Sequence, residues 1–163
     1  MNAHVKAGLV TALVALALDQ ASKLYLLFVY DIAAHGAVKV TPFFDLVLTW
    51  NKGISYGLFQ AETASAQILL LAIKLAVVAA LIAWLWHAQT RIAALGLGLI
   101  IGGAIGNAID GLAYGAVMDF AFFHLQWGAS RFDWYVFNVA DVAIVAGVIG
   151  LLYDSLLGAA KAP

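Results

Sequence analysis

Carboxylate and carboxamide side chains recur at the same spacing in two segments of an otherwise apolar chain. Asn107 and Asp110 are three residues apart in the first segment, as are Asn138 and Asp141 in the second. On a helix, the two side chains of such a pair lie on one face. Asp119 follows the first segment closely. We therefore predict that several carboxylates gather in one place. Charged groups are costly in apolar surroundings, so such a cluster indicates a functional site.

Two carboxyl groups at a poorly hydrated site do not both ionise readily, so they share one proton. One can then draw a proton from water while the other donates a proton to a carbonyl oxygen, as in aspartic proteases. The serines and histidines show no spacing typical of a competing nucleophile. From the residues alone three interpretations stay open: helix capping and interhelical pairing, with Asn138 as an N-cap; ion or proton translocation; and hydrolysis within the membrane.

Composition identifies the class of protein. Of 163 residues, 65% are hydrophobic and only 10% are charged, and the mean hydropathy is +0.99. These values are typical of an integral membrane protein, and the length suits a single membrane domain, 1–163. The chain has no cysteine, which excludes disulfides and thiolate chemistry. A net charge of −1 gives no basic field for nucleic acid, and the four scattered histidines predict neither a metal site nor a cofactor.

The sequence predicts an all-α bundle of four transmembrane helices, because four apolar segments could each cross about 30 Å of hydrocarbon. Four spans would place both termini on one side, but the lysine and arginine count, three against three, does not settle the orientation. The first run continues beyond Asp19 as far as Tyr30, which favours a retained helix over a signal peptide. The predicted helices cover approximately residues 7–30, 67–86, 92–109 and 136–157.

Three features inside the predicted spans call for an explanation. Asp19 is four residues before Lys23, so the two could pair while the lysine extends toward the surface, and Asp19 could also anchor the helices near the carboxylate cluster. Lys74 has no acid within four residues, and its role stays open. Gly98 and Gly102 form a small-residue motif that would allow close helix packing.

A small β-sheet is predicted over approximately residues 37–60, between the first two spans. Apolar residues alternate up to Trp50, Asn51 then begins a turn through Gly53, and residues 54–59 are predicted to return as a strand. Asn51 could serve the turn alone or contact a substrate. Residues 110–135 are rich in aromatic side chains, and we predict a loop that lies on the bilayer and carries Asp119 over the helix ends.

The motifs GGAIGNAID, GAVMDF and FNVADVAI, with DQ-x-x-K at residues 19–23 and N-x-G at residues 51–53, resemble those of the bacterial lipoprotein signal peptidase family, signal peptidase II. The similarity runs in order over nearly the whole chain, and the combination of motifs is highly specific. The resemblance implies an aspartic endopeptidase that removes the signal peptide from a prolipoprotein, cutting before its diacylglyceryl-modified cysteine. It implies no cofactor, and its partners would be lipidated prolipoproteins and membrane lipid.

The resemblance also implies roles for individual residues. Asp119 and Asp141 match the family's catalytic pair. The resemblance further implies that the protein lies in the bacterial inner membrane with cytoplasmic termini. The site, the sheet and the aromatic loop would then lie on the periplasmic face. The substrate-binding or supporting positions are Asp19, Asn51, Asn107, Asp110 and Asn138.

One position departs from the family pattern. The family has arginine after the aspartate of the G-N-x-x-D motif, and this chain has Gly111. The missing side chain would offer a planar, forked donor. Either Arg131 replaces it or the site works in a weakened form, and we predict the latter. Two rival functions stay open: an inactive relative that binds lipoproteins, because of Gly111, and an ion or proton carrier, because of Asp19 and Lys74. Carriers usually place ionisable groups along a path near the midplane, whereas most acids here are predicted at one face.

Overall fold

The structure, a computed structural model, describes residues 2–52 and 64–159. Within these residues the chain is mostly helical and carries a four-stranded antiparallel sheet. In chain order the elements are α1 (Ala3–Leu24), a π-helical turn (Tyr25–Val29), α2 (Ile32–His35), β1 (Val38–Thr41), β2 (Phe44–Asn51), α3 (Ala64–Trp86), α4 (Arg91–Tyr114), β3 (Val117–Trp127), β4 (Ser130–Asp133) and α5 (Val139–Ala159).

Among the described residues, three helical segments are long and apolar enough to cross a membrane. They are Ala3–Val29, Arg91–Tyr114 and Val139–Leu156. Leu71–Trp86, within α3, is apolar but shorter. The helical, multi-span character of the prediction is therefore confirmed, while a fourth span through α3 stays a prediction.

Helix α4 lies at the centre of the bundle and packs against α1, α3 and α5. The predicted small-residue motif makes the contact with α1. A Cβ atom added at Gly98 would collide with the backbone carbonyl oxygen of Gly8, and one at Gly102 with that of Ala12. The two helices can approach this closely only because these α4 residues lack side chains, as in other small-residue contacts between membrane helices.

Helix α4 runs further than the sequence suggested. It was predicted to end near residue 109, but it continues to Tyr114 and stops where Gly115 adopts a left-handed conformation at φ 69°. The prediction failed because it treated Asp110 as a surface residue that ends the span. Asp110 is only 1% exposed and is paired with a cation from α1, Lys23. A carboxylate that is neutralised in this way does not require the helix to end.

The sheet draws half of its strands from the segment that was predicted to be an aromatic loop. The strand order is β1-β2-β3-β4, so the strand predicted at residues 46–50 is confirmed within β2, whereas the loop at 110–135 is wrong. No alternating pattern marks this segment because residues 117–121 are all buried, which removes the period of two. The returning strand at residues 54–59, with its turn at Gly53, falls outside the described residues.

An apolar cluster fixes β3 over the end of α1. Leu26 and Ile32 from the first helical region pack against Met118, Phe120 and Ala121 of β3. Met118 and Ile32 are completely buried. Because Met118 and Phe120 flank Asp119, this packing also fixes the position of that carboxylate relative to the helices.

Candidate active site

Helix α1 brings a buried ion pair to the interface of three helices. The ammonium of Lys23 lies 2.8 Å from the Asp19 carboxylate, and both residues are at most 2% exposed. The predicted i, i+4 pair is thus present, but the prediction that Lys23 extends toward the surface is wrong. The lysine points inward because a second carboxylate, that of Asp110 on α4, lies 2.7 Å from its Nζ atom.

Asp19 and Asp110 are both fixed by several donors. Gln20 donates to Asp19 at 3.1 Å and to Asp110 at 3.1 Å. The backbone N–H of Ala140 donates to the other Asp19 oxygen at 2.9 Å, and that of Met118 donates to Asp110 at 3.1 Å. With Lys23, these donors occupy both oxygens of each carboxylate, and they tie α5 and β3 to α1 and α4.

Asn138 caps α5 and connects the two remaining acids. Its side-chain oxygen accepts from the Asp141 N–H at 3.0 Å, while its own N–H donates to the Asp141 carboxylate at 3.1 Å. This reciprocal pair is a capping box with a carboxylate at the third helical position. The Asn138 side-chain amide also donates to Asp119 at 2.7 Å. The predicted N-cap is therefore observed, and the same residue links Asp119 to Asp141.

Two further carboxamides complete the site. Asn107 donates to Asp141 at 3.1 Å, and its oxygen accepts from Lys23 at 3.1 Å and from Asn138 at 3.2 Å. Asn51, the last residue of β2, donates to Asp119 at 3.3 Å. The structure thus brings together all seven residues singled out in the sequence: Asp19, Asn51, Asn107, Asp110, Asp119, Asn138 and Asp141.

The four acids fall into two chemically different pairs. Asp19 and Asp110 each contact the Lys23 ammonium, whereas the donors to Asp119 and Asp141 are neutral. A carboxyl group that contacts no cation and receives only neutral donors can be protonated at modest cost. The second pair is therefore the pair that can exchange a proton.

The pKa of Asp119, which lies on β3 outside the helices, is raised to about 6. Burial is the largest cause, and the nearby charge of Asp141 adds to it. Hydrogen bonds from Asn138 and Asn51 and the charge of Lys23 act in the opposite direction without cancelling it. A carboxyl group with a pKa in this range can both hold and release a proton near neutral pH.

Gly111, where the sequence resemblance implies an arginine, adjoins open space. A Cβ atom added at Gly111 would have no heavy atom within 4 Å, so a side chain could be accommodated there. Arg131 lies on β4 and binds Asp133 at 2.6 Å, with about half of each side chain exposed. Among the described residues Arg131 pairs with Asp133 on its own strand and contacts none of the four acids, which is consistent with the prediction that it does not replace the arginine.

Sequence reasoning missed the roles of Gln20 and Lys23 within the cluster. Both were quoted as part of a motif, but Lys23 was assigned only to a local pair with Asp19. The available signal was the i, i+4 spacing of two opposite charges deep in an apolar helix, since such charges almost always face the interior of a bundle. Within residues 2–52 and 64–159, no group of three or more potential ligands is arranged to hold a metal ion.

Comparison with known proteins identifies the family of this chain. A family model described as signal peptidase (SPase) II matches residues 11–157. The lipoprotein signal peptidase of Nitrobacter hamburgensis is 62% identical over 161 residues, covering 98% of each chain. The protein of the same name from Rhodopseudomonas palustris is 59% identical over the same share of both chains.

Two solved structures described as bacterial membrane enzymes have the same fold. One matches with a TM-score of 0.75 at 22% identity and covers 94% of this chain and 89% of its own. The other matches with a TM-score of 0.73 at 22% identity, covering 91% and 92%. Because the family match spans almost the entire chain, the protein belongs to the signal peptidase II family.

Proposed function

We propose that this protein removes the signal peptide from diacylglyceryl-modified prolipoproteins and that Asp119 and Asp141 are its catalytic pair. Family membership and relatives named lipoprotein signal peptidase support the overall reaction. One observation supports the choice of the acids. Asp119 and Asp141 are joined through a single residue, Asn138, and receive only neutral donors, while the other two acids are held by Lys23.

The environments of the two acids suggest which one carries the proton. Asp141 lies in the first turn of α5, where the helix dipole favours negative charge, and it accepts a backbone N–H from Asn138. Asp119 is only 4% exposed, and burial raises its pKa. We infer that in the active form of the pair, which shares one proton, the proton lies on Asp119 and Asp141 is ionised.

This arrangement supplies every proton the reaction requires. Asp141 takes a proton from a water molecule as the water oxygen bonds to the scissile carbonyl carbon, and Asp119 gives its proton to the carbonyl oxygen. The resulting diol returns a proton to Asp119 as the C–N bond breaks, and Asp141 passes its proton to the leaving nitrogen. The products are a signal peptide with a new carboxyl group and a lipoprotein with a free amine on its cysteine.

The chain would lie in the bacterial inner membrane with four spans, α3 being the fourth. The site, formed at the C-terminal part of α4 and the N-terminal end of α5 and covered by β3, would face the periplasm, and both termini would face the cytoplasm. Asn51 and Asn107, which are only partly buried, would line the substrate path. Cysteine accessibility labelling of single-cysteine variants in intact cells tests this orientation, because the chain has no native cysteine.

We expect kcat/KM to pass through a maximum as pH varies. Its alkaline limb should fall near pH 6, because the Asp119 proton is lost as pH rises through the raised pKa of about 6. Its acid limb should lie below that value, where the second carboxyl of the pair also becomes protonated, and both limbs report constants of the pair. Initial rates of cleavage of a lipidated peptide, measured over a range of pH, give this profile of kcat/KM. A flat profile, with folding and binding verified at each pH, would exclude a shared proton.

We expect a lipidated substrate to be cut far faster than the same peptide without lipid. Each buried methylene contributes about 0.8 kcal/mol to membrane binding, so even one acyl chain concentrates the peptide beside the site. Matched peptides with and without diacylglycerol, incubated with the protein in proteoliposomes, give the comparison. Equal rates would show that the protein does not depend on the lipid for substrate binding. If the wild-type protein cleaves neither peptide, the proposed function is refuted.

A further inference from the structure

Lys74 remains a charged residue without an assigned role in the apolar helix α3. The half-buried and buried positions of this helix include Lys74, Val78, Leu81 and Leu85. Spacings of three and four residues place them on one helical face. Val78, Leu81 and Leu85 belong to the apolar cluster shared with α4. Lys74 therefore continues the face of α3 that packs against the central helix.

The level of Lys74 in the bundle brings its ammonium toward the site. Helices α3 and α4 are joined by residues 87–90, and at 1.5 Å per residue Lys74 lies about 18 Å from that turn. The same distance along α4 reaches approximately Gly103. Side chains tilt toward the N-terminus of their own helix, and for α3 that direction leads toward Asp110. Lys74 is accordingly close enough to interact electrostatically with both Asp110 and Asp141.

The charge balance of the cluster gives this lysine a function. With one proton shared by the catalytic pair, the four acids carry three negative charges, and Lys23 is the one cation in contact with them among the described residues. Lys23 is fully occupied by Asp19, Asp110 and Asn107. The position where the family has arginine is Gly111, which is open. No second cation therefore contacts the four acids among the described residues.

We propose that Lys74 is a positioning residue that supplies a second cation from α3 and so compensates in part for the glycine at position 111. Its ammonium would keep Asp141 ionised, so that this carboxylate accepts the water proton. Lys74 acts through Asp141 and does not itself exchange a proton with the substrate. The inference rests on the proposed function and assigns a new component to the same site.

Lys74→Met tests the inference because it removes the charge and keeps a long side chain. We expect kcat to fall about tenfold with a small change in KM, and both limbs of the kcat/KM profile to move to higher pH, since loss of a nearby cation favours protonated carboxyls. Lys74→Arg should keep the wild-type profile. The control is Lys39→Met, which removes an exposed lysine of β1 and should leave the profile unchanged.

A second-site variant separates a charge effect from a packing defect. Gly111→Arg has space for its side chain and should restore kcat and the pH profile of Lys74→Met. A Lys74→Met profile that matches Lys39→Met would overturn the inference, and so would a loss that Gly111→Arg does not restore. Because each comparison uses a wild-type protein that cleaves, these outcomes differ from failure of the proposed function, in which the wild-type protein itself is inactive.

Discussion

Asp119→Asn and Asp141→Asn should each reduce cleavage at least about 1,000-fold and leave the protein folded, since loss of one member of a catalytic unit removes most of the rate enhancement. An asparagine cannot carry the proton that Asp119 gives to the carbonyl oxygen, and it cannot take the water proton at position 141. Asparagine keeps the volume and one acceptor oxygen, so the bonds with Asn138 can partly persist. Single-turnover cleavage of a lipidated peptide gives the rates, and thermal unfolding in detergent confirms folding.

The double variant distinguishes a catalytic pair from two independent contributors. If the acids act as one unit, Asp119→Asn with Asp141→Asn should be no slower than either single variant. The matched control is Asp133→Asn, an exposed aspartate on β4 paired with Arg131, which should retain normal rates. Near-normal turnover of either single dyad variant would show that the pair is assigned wrongly.

The sequence predicted the composition of this site better than its geometry. Equal Asn–Asp spacings in two segments identified four of its residues, because helical periodicity places such pairs on one face. Spacing along one segment does not indicate which acid meets a cation from another helix. That Lys23 binds Asp110, and so distinguishes one acid pair from the other, follows only from the packing of α1 on α4.

Strands could be predicted from the sequence where only one face is buried, and the prediction failed where both faces are buried. Strand β2 has an alternating pattern, and it was recognised between residues 46 and 50. Strand β3 is buried on both faces at its beginning, so it lacks the period that marks a strand. The end of α4 was misplaced for a related reason, since a paired, buried aspartate looks like a surface residue in the sequence.

Lys23→Met should destabilise the protein by about 3–5 kcal/mol, because removing one partner of a buried ion pair leaves an uncompensated charge. Asp19 and Asp110 would both lose the cation that contacts them directly. Activity should fall as well, since these acids hold the N–H groups of Ala140 and Met118. Those residues precede Asp141 and Asp119 directly, so a displaced carboxylate would shift the catalytic pair. Thermal unfolding and cleavage well below Tm measure the two effects.

Neutralising the two carboxylates that lose Lys23 should restore stability if this electrostatic explanation is correct. Lys23→Met combined with Asp19→Asn and Asp110→Asn replaces each buried carboxylate by a neutral group of similar shape, and a neutral group is much less costly to bury. We expect this triple variant to be more stable than Lys23→Met alone. The reference is Lys39→Met, the loss of an exposed lysine, which should leave Tm unchanged. If Lys23→Met unfolds at the same temperature as Lys39→Met, the buried cation does not hold the site together.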